Sequence, residues 1–197
     1  IVDGGITPEN PAFSDKVDAG GKPVSSHLPG TVVYDPITNV RAWAGTCQAG
    51  PGFPASACNN KLIGARHFHA GFDQSGRTRQ SVEFLSPRDA DGHGTHTAST
   101  AGGNVGVDSF VNGAFTGVVS GMAPRARIAA YKVCWLYNGS ALATCFPSDS
   151  IAAIDRAVDD GVDVINFSIS GTLTNFLDGV EVAFFNASAA GVFVAAS

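Results

Sequence analysis

"IAAYKV" at residues 128–133 and "SDSIAAIDRAVDDGVDVINFSI" at 148–169 decide the fold. The first run is short and apolar, with β-branched residues near turn signals, as in a strand covered on both faces. The second changes period part-way. Ile151, Ile154 and Val158 recur at helical spacing, Ser148 is placed to cap the first turn, and Gly161 to end the helix. "VDVINFSI" then reads as a second buried strand. Strand, helix, strand in this order builds a right-handed βαβ unit.

Working outward, 61–68 and 192–196 read as further strands, and 177–190 as another helix closed by Gly191. The expected fold is therefore α/β, in three layers, with a mainly parallel sheet and helices on both faces. The first 60 residues are rich in turn formers and lack a period, so they are expected as surface loops. No repeat or linker divides the chain, and residues 1–197 read as one domain. Both ends are strand-like runs without a cap ("IV" and "VFVAAS"), the expectation being a piece of a longer chain whose sheet continues beyond residue 197.

Composition narrows the function. The chain is 44% hydrophobic and only 15% charged, with 24 glycines and a net charge of −5. That is a loop-rich globular domain rather than a disordered one. No basic run is present to hold phosphates, so nucleic acid is not an expected partner. No apolar run approaches the length that spans a membrane, so a membrane is not one either. Four cysteines fall as Cys47/Cys58 and Cys134/Cys145. Three pairings are possible, and the two local loops are the easiest to close. Two disulfides imply an oxidising, extracellular compartment; four reduced, buried cysteines are the alternative.

In open parallel sheets, sites form beyond the carboxyl ends of the strands. Three polar features belong there: Asp3 after Ile1-Val2, His93 ahead of a helical run at 95–101, and Ser168-Ile169-Ser170 at the end of the third strand. Asp3 either makes a turn with Gly4 and Gly5 or orients a base. His93, between Gly92 and Gly94, is uncrowded, and at a helix N-terminus the macrodipole disfavours its charged form. Its candidate carboxylate partners are Asp3, Asp89 and Asp91. With His67, His69 and His96 it also raises a zinc reading, although H-E-x-x-H is missing. His96 is expected to be a packed structural residue.

Several stretches together resemble one family, the subtilisin-like serine proteases. "IVDGGITPENPAFSD" (1–15) is similar to the family's aspartate motif and "DGHGTHTAST" (91–100) to its histidine motif. "GMAPRARIAAYKV" (121–133) and "GVDVINFSIS" (161–170) resemble the strands that follow. "AGTCQAGPGFPASACNNKLIGARHF" (44–68) and "SPRDADGHGTHTAST" (86–100) resemble the secreted, cucumisin-like branch. The resemblance implies an endopeptidase acting on proteins or peptides, with Asp3 as orienting aspartate and His93 as general base. It implies that Ser168, Ile169 and Ser170 pair with an extended substrate, and that the nucleophilic serine and oxyanion asparagine lie beyond residue 197. No cofactor is implied, calcium being common in the family but without a recognisable site here; no metal ligands are assigned. Asp89 and Asp91 are left as capping or bystander residues.

Two departures stand out. The family has Asp-Thr-Gly or Asp-Ser-Gly where this chain has Asp3-Gly4-Gly5, losing a hydroxyl beside the aspartate. It has Ser-Leu-Gly where this chain has Ser168-Ile169-Ser170, with Gly171 one step later. Two rival functions remain: a non-catalytic peptide-binding module with the same fold, and a zinc hydrolase using the four histidines.

Overall fold

The computed structural model describes residues 1–27, 34–40, 42–171 and 174–197. Its centre is a parallel sheet in which β5 (Ile128–Lys132) lies between β1 (Val2–Asp3) and β2 (Leu62–His67). A second parallel pair, β8 (Val164–Phe167) and β9 (Phe193–Ala196), follows, with β8 packed against β1. Two-residue strands β6 (Cys134–Trp135) and β7 (Thr144–Cys145) form a small antiparallel ladder. Five-residue α1 (Ala70–Gln74) follows β2.

Side chains of β5 alternate between two cores, which is why its sequence is apolar throughout. Ile128 and Ala130 face one cluster with Ile6, Phe13, Phe53, Leu62, Ala65 and Ala98. Ala129 and Tyr131 face the other, with Val2, Ile154, Ile165, Phe167 and Phe184. Helix α2 (His93–Gly102) covers the first face, while α3 (Pro147–Asp160) and α4 (Gly179–Ala189) cover the second. This is the three-layer α/β arrangement expected from the sequence.

Details differ from that expectation. Helix α3 starts at Pro147, not after a Ser148 cap, because proline's fixed φ and missing N–H suit the first helical position. Its most buried face is Ser150, Ala153, Ile154 and Ala157, with Ile151 and Val158 on the flanks. Gly161 ends it in the left-handed region as read. Asp178 caps α4 by accepting from the amides of Val180 (2.9 Å) and Glu181 (3.1 Å). The first 60 residues are not merely surface loops: Ile6, Phe13 and Phe53 are fully buried in the α2-side core. A hairpin, β3 (Val107–Val111) with β4 (Ala114–Val119), was not among the expected strands. Its turn, Asn112-Gly113, takes positive φ at both residues and is a strong local hairpin signal.

Candidate active site

Asp3 is the last residue of β1, and its carboxylate is 2% exposed. Its Oδ1 accepts from the amide of Gly4 (2.6 Å) and lies 2.7 Å from Nδ1 of His93. The Thr97 hydroxyl lies 3.3 Å from Oδ2, its single proton shared with the nearer Gly94 carbonyl oxygen at 3.0 Å. A buried carboxylate held in this way fixes the ring orientation and, when ionised, leaves the proton on Nδ1 and a lone pair on Nε2. The His93 ring is 52% exposed, and Nε2 has no hydrogen-bond partner among the described residues.

Two backbones must come close for this pairing. Gly5 has φ +117°, and a Cβ there would meet the Pro87 carbonyl oxygen at 2.6 Å; one on Gly94 would meet the Gly5 carbonyl oxygen at 2.3 Å. The missing side chains let strand, loop and helix meet. Ile6 then donates its amide to Pro87 O (2.9 Å), and Asp89 donates its own to Ile6 O (3.1 Å). His93 is the first residue of α2, after Gly92 in the left-handed region.

The helix start is capped from the loop before it. Asp89 Oδ1 accepts from the amides of Gly92 (2.9 Å) and Asp91 (3.2 Å), and Oδ2 from the amide (2.8 Å) and hydroxyl (2.6 Å) of Thr95. Burial pushes the Asp89 carboxyl up, but these bonds outweigh it and hold the group below its ordinary range. Asp91 accepts from the His93 amide (3.0 Å) and titrates above its ordinary value, chiefly through burial and also through the neighbouring Asp89 and Asp3 charges. Asp89 is therefore a structural cap rather than a bystander.

The sequence predicts that the helix dipole keeps His93 neutral. Instead, its hydrogen bond to Asp3, and secondarily the charges of Asp3, Asp91 and Asp89, raise the imidazole above its ordinary value. A direct bond to a carboxylate outweighs the partial charge of a helix end.

The other histidines stand elsewhere. His96 is exposed on α2, not packed, because the buried positions of that helix are Gly94, Ala98 and Gly102. His67 and His69 stack on each other at 5.4 Å, both edge-on to Trp135. Burial, with the charges of His69, Lys132 and Arg79, pushes His67 down to about 4. Among the described residues no three or more His, Cys, Asp or Glu side chains form a group that could hold a metal. The four histidines thus do not converge as a zinc hydrolase requires.

Ser168, Ile169 and Ser170 follow directly after β8, with Ser168 Oγ donating to Asn166 Oδ1 (3.2 Å). Ile169, Ser170 and Gly171 line a cavity of about 280 Å³ floored by Phe167 and Phe184. Among the described residues no hydrogen bond joins this segment to Asp3 or His93. Both cysteine pairs are disulfides, Cys47–Cys58 and Cys134–Cys145. No helix among the described residues is long and apolar enough to cross a membrane.

A sequence model described as the subtilase family matches residues 1–197. The chain belongs to the subtilase family. Among its subtilase relatives, subtilisin-like protease SBT1.5 of Arabidopsis thaliana is 44% identical over 199 residues, covering 100% of this chain and 23% of the relative. Subtilisin-like protease SBT1.6 of the same plant is 43% identical over 203 residues, covering 100% and 24%. Subtilisin-like protease SBT3.6 is 38% identical over 205 residues, again 100% and 24%. The chain thus spans about a quarter of the length of these curated relatives.

Sequence reasoning singled out Asp3 and His93 but missed Thr97. Its signal was present: Thr97 lies four positions after His93, on the same helical face.

Proposed function

We propose that this subtilase chain supplies the aspartate and histidine of a serine endopeptidase working in an oxidising, extracellular setting. The observation that carries the reading is the 2.7 Å contact between buried Asp3 and half-exposed His93, at positions matching the family's two motifs. His93 Nε2 takes the proton from a serine hydroxyl as the oxygen attacks the scissile carbonyl carbon. Asp3 holds the imidazole tautomer and stabilises the imidazolium that forms. The proton then passes to the leaving amine, and water resolves the acyl-enzyme in the same two steps. The serine and the oxyanion donors come from protein outside these 197 residues.

An extended peptide substrate adds as a strand along Ser168, Ile169 and Ser170, its main chain pairing with theirs. Ser170, where glycine is usual, adds a side chain to the lining of the adjoining cavity. The Gly4 departure bears less on activity, because the Gly4 amide still binds the Asp3 carboxylate at 2.6 Å. That observation favours the enzyme over a peptide-binding module.

A peptide chloromethyl ketone tests the assignment on the full-length protein. Alkylation at His93 Nε2, located by mass spectrometry, is the expected result. Alkylation at His67, His69 or His96 instead, or at no histidine, contradicts it.

A further inference from the structure

Lys132 is the last residue of β5, register partner of Asp3, and its side chain is wholly buried. A buried ammonium is costly unless paired and fully hydrogen-bonded. Its Nζ donates to Glu83 Oε1 (2.5 Å) and to the Arg88 carbonyl oxygen (2.6 Å), and lies 4.7 Å from the centre of the Trp135 ring. Glu83, 2% exposed, is held in turn: Oε1 also accepts from the amide of Phe84 (2.8 Å) and Oε2 from that of Leu136 (2.8 Å).

The position of the Arg88 carbonyl gives this pair its meaning. Arg88 precedes Asp89, the residue that caps α2 and so places His93. On the other side, the amide of Val133, next to Lys132, donates to Asp3 O at 2.8 Å. Lys132 and Val133, at and just after the end of β5, therefore grip both halves of the pair, Asp3 through a main-chain amide and the His93 loop through a side chain.

We propose that Lys132, clamped by Glu83, is a positioning residue that holds the Asp89 loop against the Asp3 strand and thereby sets the approach of His93 to Asp3. The inference rests on the reading of Asp3 and His93 as orienting group and base. The charged groups around Lys132 are Glu83 in contact, then Asp89 and Asp91, with His67 on the same strand end as Lys132's partner in register. Those facing His93 are Asp3, Asp89 and Asp91. Simple removal of the Lys132 charge strengthens the hold of these carboxylates on a protonated His93 and moves its titration up. Loss of position loosens the Asp3 bond and moves it down. The two roles thus differ in sign.

The test compares Lys132→Met, Glu83→Gln and the double variant in the full-length protein, by steady-state peptide hydrolysis, thermal midpoint and NMR titration of the His93 ring. Lys132→Met is expected to lower kcat by about 10–100-fold, the cost of a misplaced catalytic group, with KM unchanged and the His93 titration shifted down. In the double variant no buried charge stands alone, so the thermal midpoint recovers. Its kcat does not, because the Arg88 carbonyl still lacks its donor. A double variant with wild-type kcat, or a His93 titration that stays or rises in Lys132→Met, overturns the proposal. Should the wild type show no turnover, the catalytic reading fails, while the His93 titration still decides on the coupling.

Discussion

Asp3 Oδ1 and His93 Nδ1 meet at 2.7 Å although 90 residues separate them in the chain. One comes from the end of a strand and the other from the start of a helix, and neither element alone says that they pair. The contact ties the sheet to α2 and sets the protonation chemistry of the exposed ring.

That contact fixes a pH dependence. The Asp3 bond raises the His93 titration above the ordinary imidazole value, and a general base works only when neutral. Activity of the full-length protein therefore falls as pH drops through a point above the ordinary value, and kcat/KM against pH measures it. Asp3→Asn is expected to move this limb to lower pH and to lower kcat by roughly 10³–10⁴-fold, the loss typical of a Ser-His-Asp triad deprived of its aspartate. A limb at or below the ordinary imidazole value in the wild type argues against the pairing.

The Thr97 hydroxyl stands between two acceptors, Asp3 Oδ2 at 3.3 Å and the Gly94 carbonyl oxygen at 3.0 Å. Thr97→Val removes this shared hydrogen bond, to Asp3 Oδ2 and to the Gly94 carbonyl oxygen alike, while keeping the shape. A long bond of this kind is worth about 0.5–1.5 kcal/mol, so kcat falls roughly 3–10-fold with KM steady. Thr97→Ser retains the donor and is expected to stay near wild type. Equal losses in both variants would mean that packing, not the hydroxyl, matters.

Backbone approach at Gly94 is equally specific. A methyl group there would sit 2.3 Å from the Gly5 carbonyl oxygen, so α2 must shift away from the Asp3 loop. Gly94→Ala is expected to destabilise the fold by about 1–3 kcal/mol, read from urea unfolding, and to cost activity as well. Unchanged stability would show that loop and helix can part without loss.

Each disulfide closes a short loop, its cysteines 11 positions apart. Removing either pair is expected to cost about 2–3 kcal/mol, a drop in thermal midpoint on the order of 5–10 °C for a domain of this size. Differential scanning with and without reductant checks this, and a midpoint indifferent to reductant contradicts it.

How far the sequence carried depends on the range of each interaction. The βαβ order was legible because β5, α3 and β8 each show their own period. Strand and helix order set Asp3 and His93 at the carboxyl edge of the sheet, but only the resemblance named them as a pair, because the contact spans 90 positions. The start of α3 was misread because Ser148 suits a cap, whereas Pro147 at the first helical position decides. The Asn112-Gly113 hairpin was overlooked although its signal is local. His96 was misplaced because burial on α2 follows the small residues Gly94, Ala98 and Gly102, not the larger ones. Nothing local marks the Glu83–Lys132 pair, joined across 49 positions and defined only once β5 and the 83–91 loop are assembled. Ser168 to Ser170 stood out by their place at the end of the third strand, and their substrate role comes from the resemblance alone.

The central claim is that His93, oriented by Asp3, activates a serine. The second-order rate of fluorophosphonate labelling of the full-length protein measures this most directly. The wild type is expected to label one serine outside residues 1–197, and His93→Ala to slow that labelling by roughly three orders of magnitude or more. Labelling that survives His93→Ala at the full rate contradicts the account.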